Sequence, residues 1–90
     1  MHKTSVIFCV APATEDTDIR EVETKIKSIK MKGLTWGDCK KDKDIGIGKL
    51  NRLKMLAVVE NDTSVDEIEE RISRMKDLVQ SVDIEAMSEI

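Results

Sequence analysis

Two short apolar runs constrain this chain most: Ser5-Val6-Ile7-Phe8-Cys9-Val10, ended by Pro12, and Leu53 to Val59. The first is short and rich in β-branched residues and the second is nearly continuous and apolar, so each reads as a buried strand, the first on both faces. Two segments of helical period complement them. Asp18, with Glu21 three residues on, reads as a helix N-cap, and Ile19, Val22, Ile26 and Ile29 follow as one apolar stripe. Gly33 is expected to close this helix as its C-terminal glycine. Ser64-Val65-Asp66-Glu67 is a capping box, and Val65, Ile68, Ile72 and Met75 form the stripe of a second helix.

Two weaker strands complete the pattern. Leu34 to Lys40 puts Leu34 and Trp36 on one face and Thr35 and Gly37 on the other. A charged loop, Lys41 to Gly48, follows. At the end Val82, Ile84 and Ala86 alternate with Ser81, Asp83 and Glu85, a half-buried strand. Helices with one apolar face need a sheet to cover, and right-handed βαβ crossovers place the first and third strands side by side in its centre. The expected fold is therefore α+β: a ferredoxin-like βαββαβ sandwich with two helices packed on one face of a four-stranded antiparallel sheet. With 90 residues the chain holds one core, so residues 1–90 are read as a single domain.

Composition narrows the function classes. No apolar run approaches the ~20 residues that span a bilayer, and the stretch from Val6 to Ala11 is too short and too β-branched for a signal peptide. Cys9 and Cys39 form no CxxC pair and are too few for a disulfide framework or a zinc site, which fits a reducing compartment and a cytoplasmic location. The net charge of −3 is unevenly spread. Lys25 to Lys32 holds four lysines and no acid, Lys40 to Lys54 six bases, and Glu60 to Glu70 six acids and no base. Such runs are solvated surface or steer a charged protein partner. Nucleic acid is disfavoured, because one Phe, one Trp and no Tyr cannot build a base-stacking platform.

No constellation of acid, base and nucleophile is present, and His2, the only histidine, lies at the terminus. Gly46 and Gly48 before Lys49 suggest a phosphate cradle. However, Leu50 replaces the Ser/Thr of the Walker pattern and a strand follows instead of a helix. The methionines mostly take core positions, and Trp36 is either core or partner surface. A binding domain with no cofactor and no metal site is expected.

Three stretches resemble the C-terminal guanine-nucleotide exchange domain of elongation factor 1-beta. They are Ser28-Ile29-Lys30-Met31-Lys32-Gly33-Leu34-Thr35-Trp36-Gly37, Val58-Val59-Glu60-Asn61-Asp62, and Val79 to Met87; Val10, Pro12, Thr17 and Asp18 add to them. The resemblance covers essentially the whole chain and implies the same sandwich fold. It also implies exchange on the GTPase elongation factor 1-alpha, other elongation factor 1 subunits as further partners, and no direct contact with nucleic acid or membrane. The family's tools are a penultimate lysine reaching the magnesium site and a glycine-flanked aromatic residue before the third strand. Here the corresponding residues are Glu89 and Ile47. The implied partner-binding set is Gly46, Ile47, Gly48, Lys49, Arg52, Trp36, Met87, Glu89 and Ile90. The departures leave a second possibility, a module of the same fold that docks without catalysing exchange. The family's N-terminal subunit-binding region is expected to be absent.

Overall fold

The computed structural model describes residues 3–14, 16–43 and 51–90. The elements are β1 (Lys3–Pro12), α1 (Ile19–Lys27), β2 (Leu34–Lys43), β3 (Asn51–Glu60), α2 (Val65–Ser73) and β4 (Val79–Glu89). The strands form one antiparallel sheet in the order β2-β3-β1-β4, so the two most apolar strands are central as expected.

Alternation along the central strands sends Val6, Phe8 and Val10 of β1, and Leu53, Met55 and Ala57 of β3, to the same face, where all six are fully buried. Val22 and Ile26 of α1 and Ile68 and Ile72 of α2 close over them, also fully buried. These ten side chains belong to one cluster, which places both helices on the same side of the sheet. The other face carries no helix. There Ile7, Cys9, Leu56 and Val58 are only half-buried, so β1 is not sealed on both sides as its unbroken apolar run predicts. The runs are continuous, but helices cover only alternate residues.

Both helices are shorter than their apolar stripes. Asp18 caps α1 through Oδ1, which accepts from the Arg20 N–H at 3.0 Å, and α1 ends at Lys27 with Ser28 as C-cap. Ile29 is buried beyond the helix, and Gly33 lies five residues past that C-cap, in the turn into β2. The stripe continued past the helix because the connecting turn packs on the same core. In α2 the Ser64 Oγ accepts from the Glu67 N–H at 3.2 Å, whereas the Glu67 carboxylate pairs with Arg71 at 3.5 Å. Half of the expected capping box is thus realised, and Met75 packs from the segment after α2.

The edge strands are longer than their patterns suggested. β2 runs on to Lys43, taking in residues 41–43 that read as loop, and β4 extends from Val79 to Glu89. Bulges hide this. Ile7 pairs with Ala86 but Phe8 with Ile84, leaving Glu85 as the extra residue. In β2, Gly37 and Asp38 together oppose Leu56, since Trp36 pairs with Ala57 and Cys39 with Met55. A Cβ on Gly37 would come within 3.0 Å of Leu56 Cδ2.

Gly33 is fixed more tightly. Its φ is +83°, and a Cβ there would lie 2.3 Å from Thr63 Oγ1 and 2.8 Å from a Glu60 carboxylate oxygen. The Thr63 hydroxyl donates to the Lys32 carbonyl at 2.9 Å, which holds it in place, and the Glu60 N–H donates to the Gly33 carbonyl at 3.0 Å, which fixes the Glu60 Cβ only 3.2 Å from the added carbon. Gly33→Ala is expected to lower unfolding free energy by about 2–4 kcal/mol, the cost of a left-handed non-glycine residue plus overpacking, read as a lower urea midpoint with unchanged slope.

Candidate partner-binding site

Pairing register decides which of the candidate residues can meet. Arg52 pairs with Asp42 in β2, at the end of the sheet where Ala11 of β1 faces Ser81 of β4. Glu89 pairs with Thr4, at the opposite end. Seven residue steps along β1, from Thr4 to Ala11, separate those rows, about 24 Å at ~3.4 Å per step. Gly46, Ile47, Gly48 and Lys49 lie outside the described residues. The structure thus brings Met87, Glu89 and Ile90 together at one end of the sheet and leaves Arg52 at the other.

The C-terminal group is built into the sheet. The Ile90 N–H donates to the Lys3 carbonyl at 2.9 Å, and the Ser5 hydroxyl donates to the Ser88 carbonyl at 3.2 Å. A strand rather than a loose tail therefore carries these residues, which limits their orientations. Met87 shares a row with Val6 on the helix side, yet it is 54% exposed, and Ile90 is 72% exposed; they are the two exposed large hydrophobic residues among the described ones. Met87 thus departs from the expectation of core methionines, which Met55 meets fully and Met31 and Met75 in part. The Glu85 bulge shifts the phase of β4 and puts Met87 on the helix side, yet near the end of an edge strand, where it stays exposed.

Trp36 sits differently. It is half-buried against the core, its ring centroid 6.1 Å from that of Phe8 with the planes 54° apart, and its Nε1–H donates to the Ile29 carbonyl at 3.0 Å. That bond ties the segment after α1 to β2, a packing duty that its place in the sequence could not reveal.

Two helices on one side leave the opposite face of the sheet uncovered, as the sequence implied, but the sequence did not show which residues gather there. Ile7, Asp38, Lys40, Lys54, Leu56 and Glu85 line a shallow groove of about 390 Å³ there. The Lys54 ammonium and the Glu85 carboxylate meet at 3.0 Å across β1, on the face that strand alternation with Asp83 gives Glu85. The continuous apolar runs were the available signal. Among the described residues no group of three His, Cys, Asp or Glu side chains could hold a metal ion, and no helix is long and apolar enough to cross a membrane. What the surface offers chemically is contact: exposed apolar side chains beside a carboxylate on a rigid strand.

Comparison with known proteins agrees with that character. Residues 5–90 match the family described as the EF-1 guanine nucleotide exchange domain. The chain belongs to this family. It is 40% identical over 89 residues to a probable elongation factor 1-beta of Drosophila melanogaster, covering 98% of this chain and 39% of that protein. Elongation factor 1-beta of Artemia salina is 40% identical over 98% of this chain and 42% of its own. Elongation factor 1-delta of Bos taurus is 36% identical over 98% of this chain and 31% of its own. The chain therefore spans about two-fifths or less of the length of these relatives.

The packing of Trp36 can be separated from any contact with a partner. Trp36→Phe retains the ring contact but leaves the Ile29 carbonyl without its donor, and is expected to cost about 1–2 kcal/mol in urea unfolding. Trp36→Ala should cost about 3 kcal/mol or more.

Proposed function

We propose that this domain promotes release of GDP from elongation factor 1-alpha during translation elongation in the cytoplasm. It would act by binding alone, with no covalent step. The observation that carries this reading is the family match, which runs from Ser5 to Ile90 and so includes every candidate contact residue. The family match does not favour reading the module as one that docks without exchange.

Physically, such a domain accelerates release only if it binds the nucleotide-free GTPase more tightly than the loaded one. Guanine nucleotide is held mainly through its phosphates and Mg²⁺, so a contact that disturbs that charge balance provides the difference. In our reading, Met87 and Ile90 seat the strand end on the GTPase, and Glu89 supplies the charged contact. A carboxylate cannot replace Mg²⁺. It competes instead with the phosphates for the cationic groups that hold them. Arg52 forms a second contact at the far end of the sheet, and Gly46, Ile47, Gly48 and Lys49 belong to the same proposed contact set. Trp36 contributes indirectly, by holding β2 in place. Other elongation factor 1 subunits are further partners.

The deciding measurement is release of a fluorescent GDP analogue from elongation factor 1-alpha, with this domain at about one-tenth the GTPase concentration. Acceleration well beyond one turnover is expected. No acceleration, with a complex still seen by gel filtration, rejects exchange. Met87→Asp should weaken binding at least ~10-fold while moving stability by no more than ~0.5 kcal/mol, as for other exposed positions. Glu89→Gln should lower the exchange rate more than the affinity, and an unchanged rate would remove Glu89 from the site. Ile47→Ala should raise the dissociation constant.

A further inference from the structure

The helix-free face of the sheet is more apolar than a solvated face requires. An antiparallel sheet with one wet side normally alternates apolar and polar residues along its strands. Here Ile7 and Cys9 in β1, and Leu56 and Val58 in β3, face outward between the inward-facing core residues, and all four are only half-buried. Small side chains flank them: Ser5, Ala11, Ser81, Ala86 and Ser88.

We propose that a second copy of this chain covers this face, forming a two-fold dimer with the sheets stacked. The argument rests on how charge is arranged across one row. Lys40 of β2, Lys54 of β3, Cys9 of β1 and Asp83 of β4 lie side by side, bases toward one edge and the acid at the other. A two-fold axis parallel to the strands, passing between β3 and β1, lays β2 of each copy over β4 of the other and keeps every row at its own height. Lys40 of one protomer then faces Asp83 of its partner, and the contact occurs twice. Among the described residues neither Lys40 nor Asp83 has an ion-pair partner within its own chain.

In the next row the same operation sets Leu56 against Ile7 of the other protomer. It also brings Asp38 opposite Glu85, whose charge Lys54 neutralises from its own chain at 3.0 Å. Stacked sheets lie about 10 Å apart, and a four-stranded face of this length measures roughly 600 Å². The pair would bury about 1,200 Å², the lower bound of a specific interface, so the dimer is weak and concentration-dependent. The proposal does not depend on the exchange reading.

Sedimentation velocity of the full chain from ~10 µM to ~1 mM tests it. The mass is expected to rise from 10.2 kDa toward twice that value, and less so at high salt. Lys40→Glu alone and Asp83→Lys alone should each weaken self-association at least ~10-fold, because each sets like charges together at both contacts. Mixing the two variants restores opposite charge at both contacts and should restore the dimer, a result misfolding could not produce. Cys9 lies one strand from the axis in each protomer, so a short bis-maleimide should link the two through Cys9 and not in Cys9→Ser. A mass fixed at 10.2 kDa up to ~1 mM, or single variants that associate like the parent chain, would overturn the proposal. So would a monomer whose Leu56→Arg variant loses binding to elongation factor 1-alpha, since the face would then belong to the GTPase.

Discussion

The inward rows of the two central strands, closed over by two turns from each helix, hold this domain together. Val6 faces Ala57, Phe8 faces Met55 and Val10 faces Leu53, and among the described residues no other place gathers so many fully buried side chains. Each large one contributes about 1.5–3 kcal/mol on leaving water. The helices, nine residues each, are below the length at which isolated helices persist, so they form because this row gives their apolar faces somewhere to go. Ile29, Val79 and Trp36 then attach the connecting segments to the same core.

Surface charge contributes much less to the fold. Glu23 with Lys27, half-buried, and Glu67 with Arg71 and Glu70 with Arg74, exposed, are pairs four residues apart with the acid on the N-terminal side, the better orientation. Each is worth a few tenths of a kcal/mol. For a domain that works through contact, where charge sits matters more than how many pairs it makes. Lys54 and Glu85 bridge β3 and β4 on the bare face, and Glu89 is carried by an ordered strand beside two exposed apolar residues. An exchange factor needs that rigidity, because any freedom lost on docking would be subtracted from the binding that drives nucleotide out.

Much of this was legible in the chain itself. Helix period against a pair of short apolar runs gave the element order, and chirality of the crossovers placed the first and third strands in the centre. Asp18 and Ser64 announced the helix starts, because a short oxygen-bearing side chain is what an exposed helix N–H requires. The helix ends were not legible. Ile29 and Met75 keep the apolar spacing after the backbone has left the helix, since burial selects apolar residues whatever the local conformation. The candidate site was readable only as a set of residues. Nothing in the order of Arg52, Trp36 and Glu89 says that one lies at each end of the sheet and the third in the packing between.

The sequence by itself determined the architecture and the family, because periodicity, caps and motifs are local and survive without coordinates. Only the tertiary structure decided which residues face outward together. One extra residue at Glu85 changes the phase of β4, and with it the faces that Ala86, Met87 and Glu89 take. Side-chain direction in a strand has a period of two, so a single inserted residue redirects everything beyond it, and a bulge leaves no mark in hydropathy.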